Sequence, residues 1–314
     1  MQVFEGAARV ESTIHGCILT IGNFDGLHLG HAALLDAVLA RGRARKRPTA
    51  VYTFDRHPRR VLQPQLALPR LMTSRQLEWQ LRQRGIDALI VEPFTPELAG
   101  LAAEEFIARV LVEKIRPSEV VVGRDFRFGR GRQGSDETLQ RELTPLGVEV
   151  DIIPQVFAKG EDVSSTRIRG LLIDGRVGEV GLCLGRPYSL WGRVVAGDRR
   201  GRELGFPTAN LECENELIPA RGVYATSVQR FRGDWPDGEE RAAVTNVGTR
   251  PTFTDGRTLV ETHLLDFDGD LYGERLALAF HARLRDERRF SGPDELRRQI
   301  ARDADAARSH FTLA

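Results

Sequence analysis

Short apolar runs and longer helix-like segments alternate through the first half of the chain. "CILTI", "TAVYTF", "ALIVEPF" and "EVVVG" are compact, partly β-branched runs that read as buried strands. Between them, "AALLDAVLARG", "SRQLEWQLRQRG" and "AEEFIARVLVEKI" read as helices. Strands alternating with helices imply a parallel sheet covered on both faces, an α/β architecture of the nucleotide-binding type. Such sheets take ligands beyond the carboxyl ends of their strands.

The pattern changes near "GLCLGRPYSLWG". Beyond it "GVYATSVQRF", "AAVTNVG", "LVETHLLDF" and "RLALAFHARLR" follow one another without intervening helices. In the last run Leu276, Leu278, Phe280, Ala282 and Leu284 alternate with Ala277, Ala279, His281, Arg283 and Arg285, the period of a half-buried strand. Consecutive strands with glycine-rich turns suggest a small antiparallel barrel. Ser291, Gly292, Pro293 and Asp294 then supply helix-start signals, and Leu296, Ile300 and Ala304 fall on one face of a closing helix. The boundary is expected near Gly185, giving modules 1–185 and 186–314.

Length agrees with two modules, since 314 residues is long for one core. Forty-five basic against forty-four acidic residues leave a net charge of +1, so no whole-chain field calls for nucleic acid. Cys17, Cys183 and Cys213 lack metal-type spacing and are expected to be buried or idle thiols in a reducing cytoplasm. The first residues do not follow the plan of a signal peptide, and no later run is apolar enough to span a bilayer. A soluble cytoplasmic protein with small-molecule partners, and no membrane or nucleic acid partner, is the expectation.

The stretch "LTIGNFDGLHLGH" sets Gly22, Gly26 and Gly30 around Asp25, His28 and His31, where a strand gives way to a helix. Three readings compete. A metal site needs further ligands, and no nearby Cys or His supplies them. A structural turn holds both rings by hydrogen bonds. The third reading is phosphate chemistry, since glycines admit a close backbone approach and a helix N-terminus favours anions. Two imidazoles there suit charge stabilisation on a phosphorus under attack, with no covalent nucleophile required.

"HLGH" resembles the HxGH signature of the nucleotidylyltransferase superfamily. The longer "GNFDGLHLGH", followed in order by "YTFDRHP", "GRDFRFGRGRQG" and "SSTRIRGLL", resembles the first module of the bacterial bifunctional riboflavin kinase/FMN adenylyltransferase family. That resemblance implies a Rossmann-like, nucleotidylyltransferase-type α/β domain. It gives Gly22, Asn23, Phe24, Asp25, Gly26, His28, Gly30 and His31 to the ATP cradle, with His28 and His31 catalytic. Ser164, Ser165, Thr166 and Arg169 become a second phosphate clamp, a role compatible with plain N-capping by "SST". Phe54, His57, Pro58, Asp125, Phe126 and Phe128 fall on the flavin side, although core packing explains the two phenylalanines of "DFRF" equally well. Arg56 stands where the family often has proline, a change expected to alter that turn without loss of activity.

In the second module, "GRVVAGDRRGRELGFPTANL", "GVYA", "NVGTRPTF" and "ETHLLDF" resemble the riboflavin kinase domain, whose implied fold is a six-stranded antiparallel barrel with a terminal helix. Thr208 and Asn210 are two apart, so an extended chain points both one way, and their neutral oxygens suit Mg²⁺ on ATP. The ATP and Mg²⁺ segment is expected to comprise Gly197, Gly201, Arg202, Gly205, Phe206, Pro207, Thr208 and Asn210. Glu261 matches the family's catalytic base, which takes the proton of the ribityl hydroxyl as it attacks the γ-phosphate. His263, on the same strand face, is expected to be structural, and Arg285, Glu287 and Phe290 are flavin-side candidates.

The expected activity is therefore riboflavin to FMN and FMN to FAD, each with ATP and Mg²⁺. Two rival readings belong to other classes. Class I aminoacyl-tRNA synthetases share the HxGH turn, but a KMSKS-like loop is missing and "SSTRIR" stands in its place. A non-catalytic flavin sensor would not need Glu261, Thr208 and Asn210 together.

Overall fold

The computed structural model describes residues 1–197, 205–249 and 258–312. The chain divides into two compact units, 1–164 and 165–314.

The first unit is a six-stranded sheet: β1 (Gln2–Glu5), β2 (Ile18–Ile21), β3 (Thr49–Phe54), β4 (Ala88–Glu92), β5 (Glu119–Gly123) and β6 (Glu149–Ile153). Its order is β1-β4-β3-β2-β5-β6, with every neighbouring pair parallel. Four strands match the apolar runs read from sequence; β1 and β6 are the sheet's edges, where burial and pattern are weaker. Successive residues feed opposite cores. Leu19, Tyr52, Ile90 and Val122 enter one cluster, while Ile18, Val51, Leu89 and Val121 enter the other. Both faces are thus buried, which is why these strands are almost continuously apolar.

The helices have local causes. Helix α1 (Leu29–Arg45) ends at Lys46 in the left-handed region. Helix Ser74–Arg84 opens on a capping box, Thr73 with Gln76, and stops at Gly85 with φ 81°. The segment read as "AEEFIARVLVEKI" begins as an α-turn, Ala103–Phe106, and continues as a wider π-type helix to Ile115. A small hairpin follows the sheet, β7 (Phe157–Ala158) with β8 (Glu161–Asp162).

The second unit begins with helices Ser165–Ile173 and Val177–Leu184, the latter capped by Gly185 at φ 68° and packed on the barrel strands. The barrel strands are β9 (Tyr188–Val195), β10 (Ala209–Cys213), β11 (Gly222–Arg232), β13 (Arg241–Thr249), β14 (Thr258–Leu264) and β15 (Arg275–Arg285), with the two-residue β12 (Trp235–Pro236) appended to β11. The order β11-β13-β14-β10-β9-β15 closes through β11–β15 pairing, so six antiparallel strands leave no open edge. Inside, Thr226, Thr245 and Thr262 are fully buried and share hydroxyl hydrogen bonds of 2.7 and 2.9 Å. Outside, the C-terminal helix Pro293–Thr312 sets Ala304 and Ala307 on Val223, Ala225 and Val244.

No helix among the described residues is long and apolar enough to cross a membrane. All three cysteines are free. Burial pushes the thiols of Cys17 and Cys213 up to about 12. Raised values keep both protonated near neutrality, and only the thiolate is nucleophilic. Iodoacetamide at pH 8 should therefore spare Cys17 and Cys213 in the folded protein and label both after denaturation, as read by peptide mass spectrometry.

Candidate functional site

The histidine turn lies beyond the carboxyl end of β2, a central strand. Gly22 donates to the Tyr52 carbonyl at 3.1 Å, continuing the β2–β3 pairing one step past the strand. The chain then bends sharply. Phe24, Gly26 and Leu27 have φ of 46°, 85° and 45°. For Phe and Leu this is a costly conformation. Both side chains are completely buried, so the core holds the turn in place. Asp25, also buried, accepts from the backbone N–H of Leu71 at 2.9 Å. Asn23 is fixed through its carbonyl, which accepts from the Thr53 hydroxyl at 3.3 Å.

His28 is the N-cap of α1, and its carbonyl accepts the first helical bond, from Ala32. Its ring stacks on His31 with centroids 3.8 Å apart and planes 18° apart, and His31 in turn meets Phe24 at 5.0 Å. Glycine keeps this approach close: a Cβ on Gly30 would come within 3.1 Å of the His28 ring, and one on Gly22 within 3.2 Å of Phe24, so either ring would have to give way. Structure thus gathers Gly22, Phe24, His28, Gly30 and His31 into one cradle at a helix start, where the helix dipole favours an anion.

The flavin-side candidates of this unit occupy the ends of β3 and β5, the two strands that flank β2. Phe54 closes β3 and packs edge-on against Tyr52 and Phe94. The Tyr52 phenol is pushed above its ordinary range by burial, with Glu92 adding to the effect. His57 caps a short helix by accepting from Arg59 N–H, with Pro58 at its first position. Arg56 pairs with Asp55 on the surface. After β5, Asp125 is exposed, Phe126 is half-buried, and Phe128 belongs to the core, stacked on Phe126 and tilted against Phe106. Ser165, Thr166 and Arg169 lie on the first helix of the second unit, with Ser164 just before it; Arg169 is buried.

In the barrel, Glu261 pairs directly with Asn210 of β10 on one side and Asn246 of β13 on the other. Directly opposed residues share a face with Cβ atoms about 4.5–5.5 Å apart. Asn210, Glu261 and Asn246 therefore form one polar row on the outer face, and the pairing continues through Val223 to Arg285. Asn210 is buried with its amide against Gly197, where a Cβ would fall 2.5 Å from the amide carbon. Glu287 reaches the same face. A Cβ on Gly248 would lie 3.0 Å from its carboxyl carbon and 3.3 Å from Asn246 Nδ2. Arg285 makes a forked pair with buried Asp303 of the C-terminal helix, Nη2 to Oδ2 at 2.7 Å, and Phe290 packs on Arg285 and Arg288. Gly205, Phe206 and Pro207 lead into β10, whereas Gly201 and Arg202 lie outside the described residues.

Two features escape sequence reasoning. Asn246 was one polar residue in a strand until register set it beside Glu261. The second is a cavity of about 300 Å³ walled by Val194, Pro207, Thr208, Ala209, Thr262, Leu264 and the segment Phe267–Tyr272. Its loop is pinned where Val194 exchanges hydrogen bonds with Gly273 and Glu274, and where Arg308 pairs with Asp266, holding that carboxyl below its usual range. The signal available was the turn-rich "DFDGDLYG", which follows the strand bearing Glu261.

Comparison with known proteins bears on both units. Residues 10–167 match the family model described as FAD synthetase, and residues 184–311 match that of riboflavin kinase. The bifunctional riboflavin kinase/FMN adenylyltransferase of Escherichia coli K12 is 39% identical over 95% of this chain and 94% of its own length. The Pseudomonas fluorescens protein of the same name is 37% identical over 98% and 97%. A crystal structure described as a macrolide-efflux protein from Streptococcus pneumoniae matches at a TM-score of 0.87 and 31% identity, covering 98% of both chains.

The buried Asp25–Leu71 tie makes a stability prediction. Asp25→Ala removes the acceptor and leaves the Leu71 N–H buried, which costs about 1–3 kcal/mol. Asp25→Asn keeps an oxygen at that position and should cost clearly less. Urea unfolding followed by a probe in the first unit ranks the two.

Proposed function

The chain belongs to the bifunctional riboflavin kinase/FMN adenylyltransferase family, and from that membership we propose how its own residues divide the two reactions. The protein phosphorylates riboflavin with ATP, yielding FMN and ADP, and adenylylates FMN with ATP, yielding FAD and pyrophosphate. The kinase is assigned to 186–314 and the adenylyltransferase to 1–185, meeting near Gly185.

The kinase assignment rests on the Asn210–Glu261–Asn246 row. The 5′-hydroxyl of the ribityl chain is a poor nucleophile until its proton leaves. Glu261 accepts that proton as the oxygen bonds to the γ-phosphorus and the bond to the ADP oxygen breaks. Thr208 and Asn210 offer a hydroxyl and an amide oxygen, hard neutral donors that fit Mg²⁺. When bound, the ion draws charge from the ATP phosphates. The cavity beside Thr208, walled by apolar side chains and by the polar groups of Thr262, Asp268 and Asp270 and at the lower end of ligand-site volumes, suits the purine of ATP. Glu287 and Phe290, with Arg285 oriented by Asp303, are assigned to the flavin side.

The adenylyltransferase has a different need. Its nucleophile, the FMN phosphate, is already ionised at neutral pH and requires no base. Charge builds instead on the α-phosphate as pyrophosphate departs. His28 and His31, stacked at the start of α1, are assigned to donate hydrogen bonds to that charge. Phe54, His57, Pro58, Asp125 and Phe126 are assigned to the flavin side of this unit, with Phe128 supporting them from the core. The three free cysteines suit a reducing cytoplasm.

One assay of both activities tests the division, with flavins separated chromatographically. Glu261→Gln should lose roughly a hundred- to ten-thousandfold in riboflavin phosphorylation and keep FMN adenylylation. His28→Ala and His31→Ala should each lose about a hundredfold in FAD formation and keep the kinase. Wild-type FMN production by Glu261→Gln would remove Glu261 as the base.

Gly197→Ala probes the metal side. The new methyl collides with the Asn210 amide and turns it out of the Glu261 row. Kinase activity should fall by up to about a hundredfold, the cost of an ångström-scale misplacement, and more Mg²⁺ should be needed. Adenylylation on the same preparation should be unchanged.

A further inference from the structure

The β10–β14 ladder holds only two pairs, Ala209 with Thr262 and Asn210 with Glu261. One further step of that register would set Thr208 opposite His263, but the pairing stops there, and Thr208 is exposed. Pro207, just before it, has no N–H to give a ladder. The segment that carries Thr208 into the site thus loses its backbone support one residue too early.

His263 takes up the load. It lies two residues from Glu261 on the same strand face. Its Nδ1 is 2.8 Å from the Pro207 carbonyl oxygen, and its ring meets Phe206 edge-on at 5.4 Å and 83°. A carbonyl only accepts, so Nδ1 carries the hydrogen and the ring is held in one tautomer. Phe206 and Pro207 are both gripped by the strand that bears Glu261.

We propose that His263 is a positioning residue of the kinase reaction: it replaces the missing ladder bond with a side-chain bond to Pro207 and so fixes Thr208 beside Asn210 and Glu261. It touches neither substrate nor the reacting atoms. Its effect passes through the bend, and the expected consequence is weaker use of MgATP rather than of riboflavin. The inference rests on the assignment of Thr208 and Asn210 to the MgATP side of the site.

The test uses the full chain with His263→Leu, His263→Asn, Thr208→Ala and the double variant His263→Leu/Thr208→Ala. Asparagine can place an amide N–H near the former Nδ1, whereas leucine fills space without donating. His263→Leu should raise the KM for MgATP in riboflavin phosphorylation roughly three- to tenfold, the worth of one hydrogen bond. The KM for riboflavin and the rate of FMN adenylylation should stay at wild type. Without any nucleotide, amide hydrogen exchange in peptides covering 205–213 should quicken. His263→Asn should restore both readouts. In the Thr208→Ala background, His263→Leu should add less than about twofold, because the two changes act on one element.

Unchanged MgATP KM and unchanged exchange in His263→Leu would overturn the proposal. So would asparagine as damaging as leucine, or a full effect added to that of Thr208→Ala. A lowered melting temperature with equal loss toward riboflavin and MgATP would show a general packing role and overturn it too. Wild-type MgATP dependence in Thr208→Ala alone would instead remove the underlying site assignment, whatever His263 does.

Discussion

A strand sends consecutive side chains to opposite faces, and the barrel unit depends on the single register in which β14 meets both neighbours. In that register Thr262 enters the interior beside Thr245, and Glu261 stands outside between two asparagines. A slip by one residue would bury the carboxylate and expose the threonine. The hydrogen-bonded threonine line makes the slip costly, because each buried hydroxyl would lose its partner. The interior that stabilises the barrel and the outer row to which its chemistry is assigned are two consequences of one pairing.

The other unit meets a different constraint. A parallel sheet delivers the carboxyl ends of its strands to one edge, and the turn after β2 must carry two imidazoles onto a helix start there. The turn is strained at Phe24 and Leu27, and burial of those side chains offsets the strain. Stored strain of this kind suits a reaction that needs fixed donors more than a mobile base. The contrast with the barrel follows the nucleophiles: an alcohol must surrender a proton, whereas a phosphate monoester has already done so.

Much of this was legible in the sequence, for physical reasons that also mark its limits. Buried central strands such as β3 and β5 announce themselves as apolar runs, because both of their faces are covered. The edge strands β1 and β6 do not, since exposed residues such as Val3 and Glu149 break the pattern. Glycines at Gly22 and Gly30 signalled close approach, yet nothing local said that Phe24 and Leu27 would turn left-handed beside them. Asn210 was legible from its spacing to Thr208. Asn246 was not, because its partnership with Glu261 is set by register between segments distant in sequence. Asp303 was hidden for the same reason, lying in a helix whose apolar face alone was readable.

The C-terminal helix shows how burial ranks contacts that look alike. It holds the barrel through Arg285–Asp303 and through Arg308–Asp266, with closest approaches of 2.7 and 2.9 Å. The second pair is open to water on both sides and contributes little. The first places a buried carboxylate under a forked guanidinium, with Gln299 donating to the same group. Removing Arg285 would strand that charge away from water, which costs far more than an exposed pair returns. Arg285 also ends the pairing row that contains Glu261, through Val223 and Asn246. The helix therefore does more than cover apolar strands: by fixing Arg285 it fixes one end of the outer face that carries the Asn210–Glu261–Asn246 row.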